Sequence, residues 1–256
     1  MSGSRASGKG VLGTYLDQSR NWINCLVLVA PLFVVYQIGI LFTHGWKNGA
    51  DFVTPRLLAL VRGDRLAYSL LNLAILAFFV ILFFILRRRR TLHPRTWAIV
   101  LVESCLYAFV LGGVAARILF AVGLSPPMSG YEAAASPSPP SQVADAIILS
   151  IGAGAYEEMF FRLVLVGGLA FIMARAGMRR WLAGLIAIAG SSIVFSVFHY
   201  VPIGIEPWQL WSFAFRLLLG VLLALLFLTR GFAVAVYTHA LYDIFILVPR
   251  ALGLDG

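Results

Sequence analysis

The chain has 256 residues, of which 61% are hydrophobic and 12% charged, and its mean hydropathy is +0.90. That balance excludes an ordinary water-soluble domain, in which about a quarter of the residues are charged. A helix needs about 20 apolar residues to cross the hydrocarbon, so the chain has length for roughly six to eight spans and is expected to form one all-α membrane domain over 1–256. The net charge of +9 lies mainly between apolar runs, where an anionic leaflet accounts for it without nucleic acid as a partner.

The opening "MSGSRASGKGVLGTYLDQSRNW" is basic and rich in small residues. The apolar run behind it is too long for the core of a secretory signal and shows no A-x-A site, so the opening reads as a cytoplasmic tail leading into an uncleaved first span. Spans are expected at about 22–43, 68–86, 97–122, 143–174, 182–201, 209–229 and 232–249, seven in all. Between the first two, "TPRLLALVRGDR" alternates leucines with Arg56, Arg62 and Arg65, a pattern that suits a helix lying in the interface. Cys25 and Cys105 fall in apolar runs without metal-type spacing. The Pro- and Ser-rich tract at 125–141 reads as an outer loop, and neither a fixed repeat nor a nucleotide-binding glycine motif is present.

A cytoplasmic N-terminus puts twelve cations inside: Arg5, Lys9, Arg20, the run at 87–90, Arg95, Arg175, Arg179, Arg180 and Arg230. It leaves five outside: Lys47, Arg56, Arg62, Arg65 and Arg250. This is the positive-inside distribution of an integral protein of a plasma or inner membrane, and the run "RRRR" serves it as a topology anchor.

Within the spans stand the ionisable residues Glu103, Arg117, Glu157, Glu158, Arg162, His199, Arg216, His239 and Asp243. A carboxylate or arginine there costs about 3 kcal/mol on insertion scales and calls for a polar cavity or a partner. Glu103, Arg117 and Arg216 lie near span ends, where snorkelling accounts for them. The other six form three groups. In "EEMFFR", Glu158 and Arg162 are four apart on one helix face and pair, which leaves Glu157 pointing about 100° away. In "FSVFH", Phe195 stands one turn before His199, and in "HALYD", His239 and Asp243 share a face, where the carboxylate can fix the imidazole's tautomer. Singly, each group has an ordinary structural explanation. Jointly they are the materials for activating a water and stabilising an oxyanion away from bulk solvent. No H-E-x-x-H or G-x-S-x-G is present, and Asp243 alone among the aspartates lies deep, so a zincin, a common serine hydrolase and a paired-aspartate protease are all disfavoured.

The ordered set EExxxR, FxxxH and HxxxD over about residues 140–250 resembles the CPBP intramembrane proteases, the Abi or CAAX prenyl protease 2 family with its Rce1-type members. The resemblance implies about seven transmembrane helices around an intramembrane polar cavity and an endopeptidase that acts, in eukaryotic members, after a prenylated cysteine. It implies that Glu157 and His199 hold and deprotonate a water, that His239 and Asp243 stabilise the oxyanion, and that Glu158, Arg162 and Phe195 support them. The partners implied are the lipid bilayer and a peptide or membrane-protein substrate, prenylated in part of the family. Two cofactor readings stand: a glutamate-activated water with no metal, or one divalent ion, zinc, on Glu157, His199, His239 and Asp243. Asp243 has three possible roles, as a protonated donor to the oxyanion, an orienter of His239 or a metal ligand. Two other functions fit the same charges: an inactive scaffold or regulator of this fold, and a proton-coupled transporter, whose inverted repeats are not found. At 1.5 Å per residue, Glu157 and His239 fall near mid-bilayer and His199 nearer the outer end, so either Gly184 and Gly190 permit close packing or a bend, or the fifth span starts elsewhere.

Overall fold

The computed structural model describes residues 11–43, 60–62, 64–87, 94–126, 140–200 and 208–254. Most of the expected interfacial helix at 54–65, of the basic run at 87–90 and of the loop at 125–141 lies outside these residues. The described residues form α1 (Val11–Ser19), α2 (Trp22–Gly39), α3 (Arg65–Arg87), α4 (Pro94–Ala121) and α5 (Pro140–Glu158). A π-helical segment, Met159–Leu169, continues α5 without a break into α6 (Ala170–Arg175), and α7 (Arg180–Phe198), α8 (Leu210–Arg230) and α9 (Phe232–Ala251) follow. No strand occurs among them, as the composition requires.

Local chemistry sets several of these ends. Asn21 accepts a hydrogen bond from the Ile23 amide at 3.1 Å and so caps α2. Pro94 and Pro140 open α4 and α5, where a missing amide proton costs nothing. Helices α2, α4, α7, α8 and α9 are long and apolar enough to cross a membrane, and the other two expected spans coincide with α3 and the continuous helix over 140–175. Large apolar side chains point away from the protein along these helices, among them Val102 at 63%, Phe109 at 67% and Ile172 at 63% exposed, a surface suited to lipid rather than water.

Helix α9 is central. It packs most extensively on α5 and also touches α4, α8 and α2, burying Val234, Ala235, Val236 and Ala240. A Cβ on Gly154 would come within 2.7 Å of both the Cβ and the backbone nitrogen of Ala240, so glycine is what lets α5 approach α9 beside His239. On α8, a Cβ on Gly220 would lie 3.1 Å from Ser192 Cβ and 3.3 Å from Phe195 Cδ1, which seats α7 closely on α8. Close packing therefore occurs at Gly154 and Gly220, whereas Gly184 and Gly190, where the sequence pointed, have no neighbour within 4 Å of a built Cβ.

A polar clamp joins the chain's beginning to the turn between α8 and α9. Arg230 grips Glu103 through Nε at 2.5 Å and Nη2 at 2.7 Å, and Tyr15 donates its hydroxyl to the same carboxylate. Burial and then Glu103 itself raise the Tyr15 pKa, so the phenol stays protonated and remains a donor. Arg20 Nε donates to the Thr229 carbonyl at 2.7 Å. Gly231 takes a φ of +106° here with the Ser19 carbonyl 3.0 Å from where a Cβ would stand, so both backbone shape and space require glycine. Glu103 thus has a partner across helices rather than snorkelling to water.

Candidate active site

The site is built from the junction where α5 gives way to the π-helix. Glu157 and Glu158 are the last two α-helical residues, and π-helical turns inside longer helices recur at functional sites. Ser191 of α7 donates to the Phe161 carbonyl at 2.6 Å, one of the contacts that hold this irregular backbone. Across the junction the expected pair forms: Arg162 Nε lies 3.1 Å from Glu158 Oε2, with the side chains 1% and 0% exposed. The contact is an ion pair, since Arg162 Nε, Nη1 and Nη2 all lack a hydrogen-bond partner, and the guanidinium carbon sits 4.7 Å from the centre of the Phe195 ring.

Glu158 does more than neutralise Arg162. Its Oε1 lies 2.7 Å from Nδ1 of His239 on α9. A carboxylate only accepts, so the proton of a neutral imidazole sits on Nδ1 and Nε2 is turned inward. Nε2 in turn faces Glu157 Oε2 at 3.7 Å and Asp243 Oδ2 at 3.6 Å, ion-pair separations too long for direct hydrogen bonds. Three acceptor groups meeting there require at least one proton shared among Glu157, His239 and Asp243. Glu157 Oε2 is buried without a hydrogen-bond partner, as are Glu158 Oε2 and the Arg162 nitrogens beside it. The sequence offered Asp243 as an orienter of His239; in the structure Glu158 holds Nδ1, and Asp243 stands on the Nε2 side, half-buried.

Phe195 explains how the second group joins the first. Its ring lies 5.1 Å from His199, 6.0 Å from His239 and 5.2 Å from Phe161, in each case edge-on. One buried phenylalanine therefore touches both imidazoles and the arginine. His199, half-buried at the end of α7, has Nδ1 2.9 Å from the Phe195 carbonyl. That acceptor again puts the ring proton on Nδ1 and leaves Nε2 as the basic nitrogen of the neutral ring.

Among the described residues, no group of three or more His, Cys, Asp or Glu has donor atoms arranged for a metal ion. Glu158 has both oxygens committed, to Arg162 and to His239. The described residues do not make a ready cage for the zinc alternative. Three contributors were not singled out from sequence: Gly154, Gly220 and Ser191. Arg216, read there as snorkelling, engages Ser212 and Tyr200.

Residues 139–245 match the model of a family described as Rce1-like, type II CAAX prenyl endopeptidase Rce1-like. No curated protein and no solved structure matches the chain. The matched segment contains every residue of the three motif groups, Glu157 to Arg162, Phe195 to His199 and His239 to Asp243. Over that segment the chain carries the CPBP, Rce1-like family resemblance that its motifs suggest, that of a protease family housed in a helical membrane protein.

Proposed function

We propose that the chain is an intramembrane endopeptidase whose core, about residues 140–250 of a single membrane domain, hydrolyses a peptide bond of a peptide or membrane-protein substrate, with a prenylated cysteine as the substrate's recognition group. Glu157 takes a proton from a water held with His199, and the resulting hydroxide attacks the scissile carbonyl carbon. His239 in its imidazolium form, through Nε2–H, and protonated Asp243 stabilise the oxyanion, and Glu157 returns its proton to the leaving nitrogen as the carbon–nitrogen bond breaks. The observation that carries this reading is the buried, unpartnered Oε2 of Glu157 facing an imidazole whose tautomer Glu158 sets. The test is cleavage of a prenyl-cysteine peptide by the purified protein in detergent or nanodiscs, and absence of cleavage removes the proposal.

Asp243 acts as a donor in this scheme. Because Glu158 already fixes the tautomer of His239, Asp243→Asn is expected to keep its rate within about tenfold of the parent, a change of under about 1.4 kcal/mol in barrier. The amide donates at every pH and adds no buried charge. A larger loss in folded protein rejects the donor role.

The N-terminus is proposed to be cytoplasmic, in a plasma or inner membrane. Twelve cations against five support it, and Arg20 meeting Thr229 puts two of the basic turns at one end of the molecule. In a background with Cys25 and Cys105 replaced by alanine, an impermeant thiol reagent on intact cells is expected to label Ser125→Cys and spare Arg179→Cys. The reverse pattern inverts the topology.

A further inference from the structure

Arg216 lies on α8, outside the three motif groups, yet it stands at the same site. Its Nη1 donates to Ser212 Oγ at 2.9 Å and to the Tyr200 hydroxyl at 3.3 Å, and its guanidinium carbon is 5.5 Å from the centre of the Tyr200 ring. Tyr200 directly follows His199. The charge of Arg216 also reaches Asp243. The guanidinium is half-buried beside the turn that carries His199.

Its surroundings have a definite chemistry. The Tyr200 ring lies 5.0 Å from Trp208 and 6.5 Å from Phe213, and Trp208 and Phe213 are 4.8 Å apart, forming an aromatic wall next to the cation. An arginine kept inside a membrane protein faces a partner or a polar cavity. The planar guanidinium fork matches a carboxylate better than any other biological anion except phosphate. A wall of aromatic rings ending in such a fork fits an apolar peptide that ends in a negative charge.

We propose that Arg216, braced by Ser212 and Tyr200, is a specificity-determining residue that binds the C-terminal carboxylate of the peptide, while Tyr200, Trp208 and Phe213 receive the apolar residues before it. This rests on the reading of the site as a peptidase and adds to it the charge at the end of the substrate.

The experiment uses full-length protein carrying Glu157→Gln, so that peptide stays uncut, and a fluorescent prenyl-cysteine peptide that ends in either a free carboxylate or an amide. The acid is expected to bind at least about tenfold tighter than the amide, the range of a charge-assisted hydrogen bond. Adding Arg216→Gln is expected to erase that difference by weakening the acid alone, and Arg216→Lys, which keeps charge and loses the fork, to retain part of it. In the parent enzyme, Arg216→Gln should raise KM for the acid at least about tenfold more than KM for the amide. A merely structural role moves both peptides together. Binding of the acid no tighter than the amide, including no binding of either, overturns the proposal, as does an equal loss for both in Arg216→Gln. Preference for the acid without cleavage by the parent protein removes the peptidase reading and leaves the carboxylate site standing.

Discussion

Glu157→Gln is expected to fold as the parent does and to lose peptide cleavage by at least about a hundredfold, the lower end of what a positioned general base contributes. The amide keeps the shape of the side chain, and its oxygen can still accept a hydrogen bond, but it cannot take a proton from water. Folding should be unharmed because Glu157 is not the partner of Arg162: that role belongs to Glu158, at 3.1 Å. Removing a carboxylate from a site where Glu157 and Asp243 both face one imidazole nitrogen also relieves like-charge crowding, so thermal unfolding in detergent should occur at the parent's temperature or slightly above. The pair of measurements is what discriminates. Lost cleavage with intact folding supports the base, unchanged turnover rejects it, and joint loss of both assigns Glu157 to structure instead.

The pairing of Glu158 with Arg162 was legible because a four-residue spacing on a helix is enough to predict it. The π-helical segment over Met159–Leu169 was not, since apolar residues without a strong periodicity fill it and its backbone is held from outside, as by Ser191. His199 illustrates the same limit. Rise per residue placed it away from mid-bilayer, and no local signal says that the ring of Phe195 spans the interval to His239. Nor could the sequence tell which glycines matter: Gly184 and Gly190 lie in the right span, but the close contacts beside the site are made at Gly154 and Gly220, where another helix comes near. Residue types and their order carry the chemistry; the assignment of Glu158 rather than Asp243 to His239 Nδ1 is decided by packing of α5 on α9.

Glu158→Gln should do a different kind of damage, because Glu158 serves two neighbours at once. Toward His239 the substitution is mild: the amide oxygen can still accept from Nδ1–H, so the tautomer survives. Toward Arg162 it is severe. That guanidinium is 1% exposed, Nη1 and Nη2 lack hydrogen bonds, and besides Glu158 it has the Phe195 ring as its neighbour. Breaking a buried pair by removing one member costs about 3–5 kcal/mol, since a charge is left without compensation, while replacing both by apolar groups of similar volume is often neutral. The single variant is therefore expected to lose about that much stability, and Arg162→Met together with Glu158→Gln to recover most of it. Additive losses in the cycle would show that the two residues act independently. Cleavage should not recover with stability in the double variant, because Phe195 loses the cation stacked 4.7 Å from its centre and with it part of what fixes the ring against His199 and His239. A double variant that is both stable and fully active would leave Arg162 with no role beyond neutralising Glu158.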